Sequence, residues 1–328
     1  MNLSTSSSKP KLQAKEYRKL PGMLVFFAVP AVLLFLLQLA TQYGIEHTTQ
    51  GEVGKINGLM NHTIDTEIAI FGSSVAQVHF DPAIITAATG KKSFNFGIDG
   101  TTLAQYHGLL SEFLQYSDVE IIVLAGGYGE LAVRDQIYEL YKFSHHLDKP
   151  NVYNSLYPLD PELVWRTKHV PLYGYIIYNK DYYLSAWRGW QEYFSDRKDF
   201  QGKRGYEPQD KTWAAAPAKE NTTGVEAEID PKNVALYRQI IQEINIKGKK
   251  AVLVLTPIFA QQQHNIRNME KLRSIYKELA GTENYFFDFT QSNICQRKDF
   301  FYNNTHLNRQ GASMFSQEFA KRLQKLTN

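Results

Sequence analysis

The sequence predicts an α/β fold, a doubly wound parallel sheet of five strands. Three observations lead there: five short apolar runs without a helical period, helical patterns between them, and Gly- or Ser-rich turns where the early runs end. Runs of this kind fit strands buried on both faces, as parallel sheets require.

The first run, Ile68 to Phe71, stops at Gly72, and Ser73 and Ser74 follow. Asp81 then Pro82 reads as an N-cap and first helical residue, which predicts a helix over 82–89 and leaves the serines in a loop between strand and helix. Open sheets bind ligands at such carboxyl ends. Residues 92–96 form the second strand and run into Asn95-Phe96-Gly97-Ile98-Asp99-Gly100. Gly97 there suits either an exposed N–H donor or an ordinary tight turn. Leu103, Tyr106, Leu109, Leu110, Phe113 and Leu114 keep helical spacing over 101–116, with Thr101 or Thr102 as cap. The third strand, 121–125, leads into Gly126-Gly127-Tyr128-Gly129-Glu130.

Residues 135–229 break the rhythm. All four tryptophans and a run of tyrosines fall here, so the block reads as an aromatic-rich insertion packed over one end of the sheet. Its aromatic rings serve either to fill a core or to stack on sugars. The regular pattern resumes at Asp230-Pro231 with a helix to 247, closed by Gly248. A fourth strand over 251–255, a helix over 266–279 and a fifth strand over 285–289, carrying Asp288, follow. A polar loop with His306 precedes the last helix, 310–326, whose Met314, Phe315, Phe319 and Leu323 share a face.

The amino terminus is a separate matter. Residues 20–45 carry no charge and predict one transmembrane helix, long enough to cross a hydrocarbon core of roughly 30 Å. Lys9, Lys11, Lys15, Arg18 and Lys19 against Glu16 keep the tail, 1–19, cytoplasmic and send the rest across. The competing reading is a cleaved signal, but the apolar stretch exceeds the usual roughly 7–15 residues and no small-x-small cleavage site follows it. Residues 46–66 read as a polar connector and 67–328 as the folded domain. Setting aside the five basic residues and one acidic residue of the tail, the totals of 36 and 33 leave the exported part near neutrality, and nothing suggests nucleic-acid binding. Cys295 is the only cysteine, and His145, His146, His169 and His264 lack metal-ligand spacing, so no metal or cofactor is expected. His79, five residues after Ser74, reads as a surface histidine, with reach into the pocket as the alternative.

A glycine-flanked serine after the first strand, Gly97 after the second, a Gly-rich turn after the third and His306 in a late loop resemble the SGNH/GDSL hydrolases, whose sheet is flavodoxin-like. Phe71-Gly72-Ser73-Ser74, the Asn95–Gly100 block and Phe301–Ala312, behind a single anchor, look like the membrane-anchored members related to the D-alanyl-lipoteichoic acid biosynthesis protein. The resemblance implies Ser74 as nucleophile, His306 as base, and the backbone N–H groups of Ser74 and Gly97 as oxyanion donors. A serine hydroxyl needs such a base to attack an acyl carbonyl at neutral pH. The family's acid falls on Asn303, an amide, with Asp288 and Asp299 as the nearest substitutes, and the family's Gly-x-Asn-Asp block is replaced by Gly126–Glu130. The resemblance further implies a bacterial inner-membrane protein with an extracytoplasmic domain. It would act as an esterase or acyltransferase on O-acyl groups, acetyl above all, of a cell-envelope glycan, beside a multi-span membrane O-acyltransferase. The two departures keep open a catalytically impaired module that binds a glycan or that partner.

Overall fold

A computed structural model describes residues 20–134, 136–178, 180–195, 203–213 and 224–327. The cytoplasmic tail predicted for 1–19 lies outside the described residues, as do parts of the insertion. In chain order the elements are α1 (Leu20–His47), α2 (Gly51–Met60), β1 (Ile68–Gly72), α3 (Ser74–His79), α4 (Pro82–Thr89), β2 (Ser93–Asn95), α5 (Leu103–Tyr116) and β3 (Ile121–Gly126). The insertion supplies α6 (Pro150–Leu156), α7 (Pro161–His169), α8 (Tyr173–Ile177) and α9 (Lys180–Ser195). Then follow α10 (Pro231–Ile246), β4 (Lys250–Leu255), α11 (Ala260–His264), α12 (Met269–Ala280), β5 (Tyr285–Asp288) and α13 (Arg309–Thr327).

The five strands form one all-parallel sheet in the order β2-β1-β3-β4-β5. Strand order reverses beside β1, so Gly72 and the serines stand at the switch point where a crevice opens. Successive strand residues alternate between two cores. Ala69, Phe71, Ile122, Leu124 and Leu253 face α2, α5, α10 and α12, while Ile68, Ile70, Val123, Val252 and Val254 face α4 and the Phe315, Phe319, Leu323 stripe of α13. The caps form as the residues suggest. Asp81 accepts from Ala83 N, Asp230 from Lys232 N, and Thr102 makes a reciprocal capping box with Gln105.

Two expectations are corrected and a third is extended. The segment expected to be a connector holds α2, every residue of which from Val53 to Met60 is buried; a helix enclosed on all sides shows no amphipathic period. Ser74 is not in a loop but opens α3, a helix too short for periodicity to reveal. The insertion spreads beyond the end of the sheet, where Lys142 Nζ donates to Asp99 O (3.2 Å) and a Cβ on Gly100 would collide with the Tyr138 ring. Its helix α6 packs on α5, so close that a Cβ on Gly108 would collide with Ser155 Oγ, and α9 crosses the end of α1. Residues 203–213 also reach the sheet, where Asn95 N donates to Arg204 O (2.9 Å) and Trp213 meets Phe259 with ring centroids 5.1 Å apart.

Candidate active site

Ser74 owes its position to the last residue of β1. Gly72 has φ of 148°, and a Cβ there would collide with Ala125 O on β3, so only glycine lets the chain leave the sheet this way. Ser73 is the extended N-cap residue and Ser74 the first residue of α3. Its own N–H lies in the first turn, where no intrahelical carbonyl reaches it.

His306 arrives from the other end of the chain. The Phe301–Leu307 bridge and a Tyr302 N to His306 O bond (3.0 Å) fold the loop back on itself. His306 Nε2 stands 2.7 Å from Ser74 Oγ. On the far side of the ring, Nδ1 lies 3.0 Å from Asn303 Oδ1 and 3.0 Å from Thr305 Oγ1. The amide orientation is fixed, because Asn303 Oδ1 also accepts from the backbone N–H of Thr305 (3.0 Å) and His306 (2.9 Å), which can only donate. Asn303 therefore presents an oxygen to Nδ1. The ring then carries its proton on Nδ1 and leaves Nε2 free to accept from Ser74.

Burial pushes the His306 pKa below the ordinary histidine value; Asp99 raises it and Lys211 lowers it further. Tyr302 stacks on the imidazole (5.5 Å between centroids) and Lys211 Nζ sits 5.4 Å from the centre of the Tyr302 ring. Asp99, Lys211 and Tyr302 carry no motif that singles them out. Asp99 and Tyr302 do lie inside blocks the sequence marks, next to Gly97 and Asn303.

Several expectations change. His79 is fully buried, and its Nε2 accepts from Leu307 N at 3.0 Å, so it ties the His306 loop to the helix that carries Ser74. Burial holds it well below the usual histidine range, hence neutral and able to accept. Gly97 does not offer a free donor: its N–H donates to Asn95 Oδ1 (2.8 Å) and its carbonyl accepts from Lys55 Nζ (2.7 Å). Its lack of a side chain serves packing, since a Cβ would collide with Gln77 N of α3. Asp288 is committed elsewhere, accepting from Thr290 N (2.8 Å) and Thr290 Oγ1 (2.6 Å) and pairing with Arg273 Nε (3.0 Å). Asp299 pairs with Arg297 at the surface (2.6 Å). Neither bonds to His306; Asn303 alone occupies the acid position.

The Gly126–Glu130 turn borders the same crevice, with Gly127 against Val75 of α3. Behind it Glu130 Oε1, Tyr106 OH and Tyr276 OH are buried together. Burial pushes the Glu130 carboxyl up to about 7.

No family model matches this chain, and no curated protein matches it. Among solved structures it is similar to a Streptococcus pneumonia protein described provisionally as a platelet activating factor, at 16% identity and a TM-score of 0.42, over 90% of this chain and 99% of that one.

Proposed function

We propose that this protein is a membrane-anchored serine esterase or acyltransferase that acts on O-acyl groups, acetyl in the first place, of a cell-envelope glycan. The observation that carries the reading is the Ser74 Oγ, His306 Nε2 and Asn303 Oδ1 relay, joined at 2.7 and 3.0 Å across 232 positions of sequence. Ser74 Oγ attacks the acyl carbonyl as Nε2 takes its proton. The Ser74 N–H is placed to meet the oxygen that gains charge. His306 then returns the proton to the leaving alcohol, and the acyl group stays on Ser74 as an ester. Water completes a hydrolase cycle; a sugar hydroxyl completes a transferase cycle.

The anchor reading is supported by α1, whose residues from Met23 to Leu39 expose their large apolar side chains while Thr41 and Ile45, and Thr48 just beyond the helix, are buried in the domain. Cleavage of a leader inside this helix would tear out part of the folded unit. An extracytoplasmic domain on a bacterial inner membrane, beside a multi-span O-acyltransferase, belongs to the same proposal.

Full-length protein in detergent is expected to hydrolyse p-nitrophenyl acetate, and Ser74→Ala to reduce the rate by roughly 10³-fold or more. Full activity in the alanine variant would remove the reading. A second reading, an impaired module that binds a glycan or the acyltransferase, is favoured by the amide at Asn303 and the committed Gly97 N–H. Under the first reading Asn303→Asp changes the rate by less than about tenfold, because the acceptor is already in place; a gain approaching 10⁴ would speak for the second.

A further inference from the structure

Helix α9 crosses α1 at a point where both backbones are bare, since a Cβ on Gly189 would collide with the Gly44 carbonyl and one on Gly44 with Ala186 O. Its two sides then meet different levels of α1. On one side Glu192 Oε2 accepts from Thr49 N and Thr49 Oγ1, both at 2.6 Å, just beyond the carboxyl end of α1. On the other side Trp190 Nε1 donates to Ala40 O (2.8 Å), Tyr183 OH to Tyr175 O (3.1 Å), and Tyr175 OH to Leu37 O (2.9 Å). Tyr183, Trp187, Trp190 and Phe194 recur at helical spacing, so they form one stripe, and that stripe is turned toward the apolar end of α1. It is not covered: Trp187 is 60% exposed, Phe194 79%, and neighbouring Ile176 of α8 82%.

The exposed apolar length of α1, Met23 to Leu39, is about 25 Å, close to a hydrocarbon core. Its upper boundary falls at Leu39 and Ala40, the level to which Trp190 and Tyr175 are bonded. Tryptophan and tyrosine favour that depth, and a helix with one aromatic face and one polar face lies in the plane of the interface.

We propose that α9, together with Ile176, is a second membrane contact, an in-plane helix seated at the boundary between headgroups and acyl chains of the bilayer that α1 spans. The proposal rests on the reading of α1 as a span. Two attachments that cross each other fix the tilt of the domain, where a single helix would leave it free to swing.

The test uses the full-length chain in a Cys295→Ser background, reconstituted in phosphatidylcholine vesicles whose acyl chains are brominated near the headgroup end. Phe194→Cys, Ile176→Cys, Leu33→Cys and Ile246→Cys each carry an environment-sensitive fluorophore. Ile246, equally exposed at 82% but on α10, is the aqueous control, and Leu33 reports on the span itself. Labels at 194 and 176 are expected to shift to the blue and lose about half their intensity relative to unbrominated vesicles, with no change at 246. If the label at 33 is quenched while those at 194 and 176 stay as wet as the one at 246, the α9 contact is overturned and the span stands; a stripe reserved for a protein partner gives this result. If the label at 33 stays aqueous, the span reading fails and the α9 contact with it.

Discussion

Asn303 accepts three N–H groups at once, from Thr305, His306 and the His306 ring, and under the proposed function this sets what the amide does for the base. It orients the ring as a carboxylate would, but supplies no charge to stabilise the imidazolium. Burial already lowers the His306 pKa, so the acid limb of the rate profile is expected below the ordinary histidine value. A base works only when unprotonated, and the signs follow: Asp99→Asn moves the limb to lower pH, while Lys211→Met moves it to higher pH. A pH series of kcat/KM on the three proteins checks both directions. Glu130 makes a different prediction. Its pKa of about 7 lies above the value for an exposed carboxyl, so its contribution is fully present in acid and is lost as pH rises toward 7. Glu130→Gln is expected to raise the melting temperature at pH 8, by a stability difference on the order of 1–3 kcal/mol, and to change little at pH 5; equal gains at both values would mean the carboxyl is not strained. That Ser74 and His306 would meet was legible because short blocks mark both positions; their roles in catalysis belong to the proposal. Gly97 was half legible, because a sequence gives the glycine but not the direction of its N–H, which the Asn95 side chain decides. His79 was misread because its burial depends on α13, which starts more than two hundred residues later.

At the scale of elements, strands and capped helices could be read because each repeats a local signal, an apolar run or an Asp-Pro start. Helix α2 could not, since Gly54, Lys55 and Asn57 look like a linker until one sees what surrounds them. Asn57 Nδ2 donates to Ile45 O (2.7 Å) and Thr48 O (2.9 Å), and Lys55 Nζ, fully buried, donates to Gly97 O. Glu52 accepts from Asp99 N (2.5 Å) and Gln77 Nε2 (2.9 Å), with Lys142 paired to it at 2.5 Å. Helix α2 is thus a brace between the end of α1 and the loop beside His306. Lys55→Met keeps the volume but leaves the Gly97 carbonyl without its donor. The loss of the buried ammonium offsets part of that cost, so folding suffers little while the loop shifts. The expected result is a fall in kcat of about 10- to 100-fold with a melting temperature near that of the parent. Unchanged kcat would show that the 97–99 loop is held by its own turn.

At the scale of the whole molecule, the folded domain does not hang from α1 by a tether, because the carboxyl end of α1 is a structural part of it. Ile45 is fully buried, Asn57 reaches back to Ile45 and Thr48, Gly44 packs on Gly189, and Leu172 N donates to Gln38 Oε1 at 2.9 Å. A soluble fragment should therefore begin before this lock. Starting at residue 50 removes Ile45, about 1.5–3 kcal/mol of apolar burial. It also strips partners from the Asn57 amide and the Glu192 carboxylate, each worth about 1–3 kcal/mol when left unpaired in the interior. The combined loss is on the order of 5 kcal/mol, or a drop of roughly 10 °C in a chain of this size. A fragment beginning at residue 38 retains all of these contacts and sheds most of the exposed apolar helix. Thermal unfolding followed by circular dichroism on the two fragments is expected to separate them by about that margin, the longer being the more stable. Coincident transitions would mean that α1 has no structural role in the domain, and that Glu192, Gly189 and Asn57 hold nothing that the domain needs.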